Sequence, residues 1–93
     1  MKVTVLIKEK SKHYEGLRTC LGLLLEDFEV NMIIIGEEIE MNEAYKENLE
    51  ILKEFEGHYF SNNTMNVETF GFRYIEYEMI AEIIKNSNTI IPF

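Results

Sequence analysis

The sequence predicts a three-layer α/β/α domain with a mainly parallel five-stranded sheet. Three observations carry that expectation. Apolar stretches such as Val3–Ile7 and Val30–Ile35 lack the alternation of a half-exposed strand, so they suit strands buried on both faces. The stretches between them place apolar residues three and four apart, the period of an amphipathic helix. And the two kinds of segment alternate along the chain, which is the signature of βαβ units with right-handed crossovers.

The first strand is read at 2–8 (KVTVLIK). The first helix follows, with Leu17, Cys20, Leu21, Leu24, Leu25 and Phe28 in one stripe and Ser11 as a candidate cap. The second strand is read at 30–35. The second helix covers about 42–55, with Asn42 as its cap and Gly57 where it would stop. Tyr45, Leu49 and Leu52 form its inner ridge, with Ala44, Ile51 and Phe55 beside it. A short strand at 58–61 comes next. The segment 62–71 (NNTMNVETFG) has no clear period and reads as a loop with room for one helical turn. Arg73–Ile75 is a short strand candidate. The last helix spans about 77–86, with Tyr77, Ile80, Ala81, Ile83 and Ile84 turned inward, and 88–91 closes the sheet.

At 93 residues the chain suits one domain, 1–93, and is too short for two. Its net charge of −8 is concentrated in residues 37–56, where eight Glu face only Lys46 and Lys53. The plain reading is a solvated helix face. With no basic face to displace counterions, direct nucleic-acid binding is not expected. No segment approaches the roughly 20 apolar residues of a membrane span, and the start lacks the pattern of a signal sequence. A cytoplasmic protein without a membrane partner is expected. Cys20 is the only cysteine, so no disulfide and no cysteine-based metal site is foreseen, and no cofactor motif is present.

Ligands of open α/β sheets gather beyond the carboxyl ends of the strands. That rule selects 9–16, 36–41, 61–66 and Glu76–Tyr77. His13 lies on that side and is a candidate proton carrier, although an ordinary loop role is the simpler reading. His58 falls at the opposite, amino end. Cys20 is the one nucleophile candidate, but its position on the apolar stripe of the first helix points to packing. A small-ligand pocket at the carboxyl end would draw on His13, Gly36, Ser61, Asn62 and Asn63. The aromatic series Phe70, Phe72, Tyr74, Tyr77 suits either core packing or a subunit interface.

Glu15-Gly16-Leu17-Arg18 with Cys20-Leu21-Gly22-Leu23-Leu24-Leu25 resembles the first helix of DsrE/DsrF-like sulfur-relay proteins, the group that includes DsrEFH and TusBCD. Phe28-Glu29-Val30 and Ile33-Ile34-Ile35-Gly36-Glu37-Glu38 resemble that family's second strand and glycine-acidic turn. Gly71 to Ile75, Glu78 to Ile84 and Asn88 to Phe93 resemble its closing strand–helix–strand. The resemblance covers nearly the whole chain and rests on distributed patterning. It implies a symmetric homo-oligomer, a trimer or hexamer, and a cysteine-bearing DsrE- or Tus-like partner. It also implies a persulfide cysteine just after the third strand. Ser61 stands at that place here, and a hydroxyl cannot carry persulfide sulfur. The resemblance therefore leads to a non-catalytic binding or assembly subunit. A sulfurtransferase using Cys20 and a ligand-binding module at the carboxyl end are the other readings.

Overall fold

The computed structural model describes all 93 residues, Met1–Phe93. Five strands alternate with four helices. They are β1 (Lys2–Ile7), α1 (His13–Leu25), β2 (Glu29–Ile34), α2 (Glu43–Glu54), β3 (His58–Ser61), α3 (Thr64–Phe70), β4 (Arg73–Tyr74), α4 (Tyr77–Lys85) and β5 (Thr89–Pro92). The strands form one sheet in the order β4-β3-β2-β1-β5, and every neighbouring pair is parallel. The expected α/β class with a five-stranded parallel sheet is what the chain adopts.

The order explains the layers. From β1 to β4 the chain steps steadily to one edge, and from β4 to β5 it returns across the sheet. Right-handed crossovers then place α1, α2 and α3 on one face and α4 on the other. The core divides accordingly. Val3, Val5, Ile7, Val30, Met32 and Ile34 meet Leu17, Cys20, Tyr45, Leu49 and Leu52 on the three-helix side. Ile33, Phe60 and Ile75 meet Ile80 of α4 on the other, with Leu6, Ile35, Ile83 and Ile84 around them. Gly16 lets α1 lie close on β1, because a Cβ there would overlap the Ile7 side chain.

Several local expectations are revised. Residues 62–71 are not a loop: α3 occupies Thr64–Phe70, capped by the Asn63 side chain on the Asn66 amide and closed by Gly71 at φ 78°. Ser11 does not cap α1. It sits in a 3-10 turn at Lys10–Lys12, and α1 begins without a side-chain cap. Asn42 does cap α2, accepting from the Tyr45 amide at 2.8 Å. Gly57 is not the left-handed residue after α2. Glu56 takes that role at φ 62°, with the Glu56 amide bonded to the Lys53 carbonyl and the Gly57 amide to the Leu52 carbonyl. Gly57 is needed for space instead, since a Cβ would press on Leu52 and Leu24. Tyr77 points outward at 70% exposure, and Ile51 and Phe55 are also exposed. Helical period places a stripe but does not say how far the sheet extends to cover its margins.

No helix is long and apolar enough to cross a membrane.

Candidate functional site at the carboxyl end of the sheet

The loops beyond β1, β2 and β3 meet at the carboxyl end, and two distinct structures form there. The first is a polar latch. Gly36, at φ 94°, donates its amide to Asn62 Oδ1 at 2.8 Å, and its carbonyl accepts from Asn63 Nδ2 at 3.1 Å. Ser61 is fully buried, and its Oγ receives the Asn63 amide and Asn66 Nδ2, each at 3.1 Å. Asn66, also fully buried, donates to the Glu37 carbonyl at 3.0 Å and accepts the Ile39 amide at 2.9 Å. So Gly36, Ser61, Asn62 and Asn63 come together as the sequence suggested, but they bind one another. Their polar atoms hold the β2–α2 loop to the start of α3. Asn66, the centre of the latch, was missed, because nothing in an aperiodic NNTMN stretch marks a buried amide.

The second structure is a cleft between the segment after β1 and the segment leading into α2. It has a volume of about 220 Å³ and is lined by Lys10, Ser11, His13, Tyr14, Glu40, Asn42 and Tyr45. His13 is not a loop residue: it is the first residue of α1 and only 5% exposed. The 3-10 turn folds the chain back over it. Tyr45 lies in the first turn of α2, where the Asn42 cap fixes the backbone, and is 2% exposed. One wall is tied to the other by Asn48 Nδ2 on Tyr14 Oη at 3.2 Å. His13 Nε2 and Tyr45 Oη are both buried without any hydrogen-bond partner. Neither atom has accessible surface, so neither opens onto the cleft, and the Tyr45 hydroxyl lies on the core side, near Cys20.

The electrostatics fit neutral side chains in the interior. Burial pulls the His13 imidazole below its ordinary range, Glu37 pulls it back up, and Lys10 adds to the lowering. Burial drives the Tyr45 phenol up, so it stays protonated near neutral pH and remains a hydrogen-bond donor.

Cys20 lies apart from both structures. It is fully buried on the inner face of α1, and burial pushes its thiol up to about 12. His58 opens β3 opposite Asn31, at the amino end, so the two histidines stand at opposite ends of the sheet. There it shares a groove of about 280 Å³ with Phe60 and Arg73. No group of three or more His, Cys, Asp or Glu is placed to hold a metal ion.

Fold and geometry define the class: an open, doubly wound α/β domain with a polar cleft at the carboxyl end of its parallel sheet. In comparisons with known proteins, no family model, no curated protein and no solved structure matches this chain.

Proposed function

We propose that the chain is a DsrE-like binding and assembly subunit, of sulfur-relay ancestry, that carries no sulfur itself. One observation carries this reading. The only thiol is sealed in the core and held up to about pKa 12, whereas a sulfur carrier needs an exposed thiolate. Ser61, at the place the family resemblance gives to the persulfide cysteine, is also buried and committed to the latch. The resemblance supplies the rest: self-association as a trimer or hexamer in the cytoplasm, beside a cysteine-bearing partner. Tyr74, Tyr77 and Met79, exposed at 49%, 70% and 48%, offer an aromatic surface for it at the β4 edge and the start of α4. β4 is only two residues long, so this sheet edge is short and open.

Sedimentation velocity at micromolar concentration tests the assembly half, and a discrete oligomer is expected. A monomer would sink it. Native mass spectrometry after incubation with a persulfide donor tests the other half, with no thiol-blockable gain of sulfur expected. Such a gain would restore the alternative, a sulfurtransferase acting through Cys20, which burial opposes. A second reading, a ligand-binding module at the carboxyl end, is favoured by the cleft of about 220 Å³ that Lys10, Asn42 and Glu40 help to line.

A further inference from the structure

We propose that the seam between α1 and α2 docks a basic amphipathic helix of another protein, its apolar side chains on Leu25, Ile51 and Phe55 and its lysines or arginines against Glu47 and Glu54. This inference goes beyond the assembly reading, uses the sheet face opposite α4, and stands or falls separately from that reading.

Both helices start at the carboxyl end of the sheet and run back side by side. Near their starts Asn48 Nδ2 and Tyr14 Oη join them at 3.2 Å. Toward their ends the seam opens into a hollow of about 330 Å³ lined by Leu24, Leu25, Asp27 and Phe55. Leu25 is 71% exposed, Phe55 47%, and Ile51, one turn before Phe55, 40%. Leu21 and Leu24 are only half-buried and connect this surface to the core. Scattered exposed apolar residues are ordinary, but here three large ones adjoin around a concave floor, which is the form of a docking groove. The twelve residues of α2 give a seam about 18 Å long, enough for apolar anchors at i, i+3 or i+4, and i+7 of a partner helix.

Charge selects the occupant. Glu47 stands four residues before Ile51 and Glu54 three after it, so both flank it on the outer side of α2. Glu26 and Asp27 follow Leu25 directly. All four carboxylates are exposed and none makes an ion pair, whereas Glu15 and Glu50 are engaged by Lys12 and Lys53. Arg18 sits toward the other end of the seam, over the Tyr14 ring at 5.9 Å. Along α2, Glu43, Glu47, Glu50 and Glu54 recur at steps of three and four, a row of like charges that repel one another. A cationic partner relieves that repulsion and is matched by the rim. A second copy of this chain would set one acidic rim against another. Its α4 suits no better, since it carries Glu78 and Glu82 against Lys85.

The test is a ¹H–¹⁵N NMR titration of the full chain with a synthetic amphipathic Leu/Lys peptide of about 15 residues, long enough to form a helix. A scrambled peptide of the same composition and a Leu/Glu peptide with the same apolar positions are titrated beside it. Saturable shifts confined to residues 18–27 and 47–55 are expected, with the scrambled peptide about tenfold weaker and the Leu/Glu peptide inert. Leu25→Ser, and separately Glu47→Gln with Glu54→Gln, all at exposed positions, should each weaken binding about tenfold. Glu78→Gln with Glu82→Gln, acids of α4 on the other face, should leave it unchanged. Equal binding of the scrambled peptide, or equal loss in the α4 variant, overturns the docking groove and leaves attraction by net charge alone. Equal binding of the Leu/Glu peptide overturns the basic class of partner. Seam shifts that appear on concentrating the chain by itself assign the groove to a second copy and overturn the foreign partner. No seam shifts with the Leu/Lys peptide overturn the site.

Discussion

Asn66 Oδ1 accepts the backbone amide of Ile39 at 2.9 Å, joining α3 to the β2–α2 loop across 27 residues of sequence. The same side chain donates to the Glu37 carbonyl and to Ser61 Oγ. One buried amide thereby sets the position of the lip that carries Glu37 and Glu40. Asn66→Ala leaves the buried Ile39 amide and Ser61 Oγ, and the part-buried Glu37 carbonyl, without this partner and should destabilise the fold by about 2–4 kcal/mol. Asn66→Asp keeps the acceptor for Ile39, and the Ser61 hydroxyl can turn to donate to it, but it sets a carboxylate against the Glu37 carbonyl, so it should rescue only part of the loss. Urea denaturation of both variants checks this, and an alanine variant within 0.5 kcal/mol of the parent, the range of ordinary surface changes, would contradict the latch.

The latch also marks the limit of what the sequence discloses. β1 and β2 are legible because nearly every position is apolar, and the inner ridge Tyr45-Leu49-Leu52 because its period is clean. α3 is not. Its helical state rests on the Asn63 cap, the left-handed Gly71 and Asn66 ties to residues nearly thirty positions away, none of which has a period. The site divides in the same way. His13, Gly36, Ser61, Asn62 and Asn63 were placed at the carboxyl end by topology alone. That the latter four satisfy one another, while His13 is buried beside Tyr45, depends on where each polar atom points. Tyr77 was misplaced because a helix stripe does not reveal where the sheet beneath it ends.

Cys20 should resist thiol reagents in the native state. With no exposed surface and a thiol pushed up to about 12, reaction requires unfolding. Labelling with a chromogenic disulfide should be slow without denaturant and stoichiometric in urea. Rapid native labelling would mean the α1–sheet interface opens readily. Cys20→Ser should lower stability by about 1–3 kcal/mol, because it buries a hydroxyl among Leu17, Met32 and their neighbours.

Glu56→Gly should stabilise the protein. Glu56 occupies the left-handed position that ends α2, at φ 62°, where a side chain is unfavourable and glycine is not. Part of the relief is offset by the greater freedom of glycine in the unfolded chain, leaving a gain of about 0.5–1 kcal/mol. The exposed carboxylate makes no ion pair that would be lost. A lower denaturation midpoint in Glu56→Gly would refute the assignment of strain to this turn.

The aromatic surface at the β4 edge gives a prediction that separates assembly from folding. Tyr74 and Tyr77 are exposed and outside both core clusters, so Tyr74→Ser combined with Tyr77→Glu should change the thermal midpoint of an isolated subunit little. The same pair should shift the sedimentation profile toward monomer. An unchanged oligomer would place the subunit contact elsewhere.

Stability should fall on the acid side of neutrality through His13. Burial lowers its folded-state pKa below the ordinary 6.5, so the unfolded chain binds a proton more readily than the folded one. Its contribution is complete above 6.5 and is lost as pH drops from there toward the lower folded value. Lys10 reinforces the lowering and Glu37 opposes it, while Tyr45, held protonated, keeps its charge state throughout this window. The thermal midpoint of the parent should therefore drop between pH 7 and pH 5 more steeply than that of His13→Gln, which has no proton to gain. Parallel curves for the two proteins would show that the buried imidazole does not govern the acid limb.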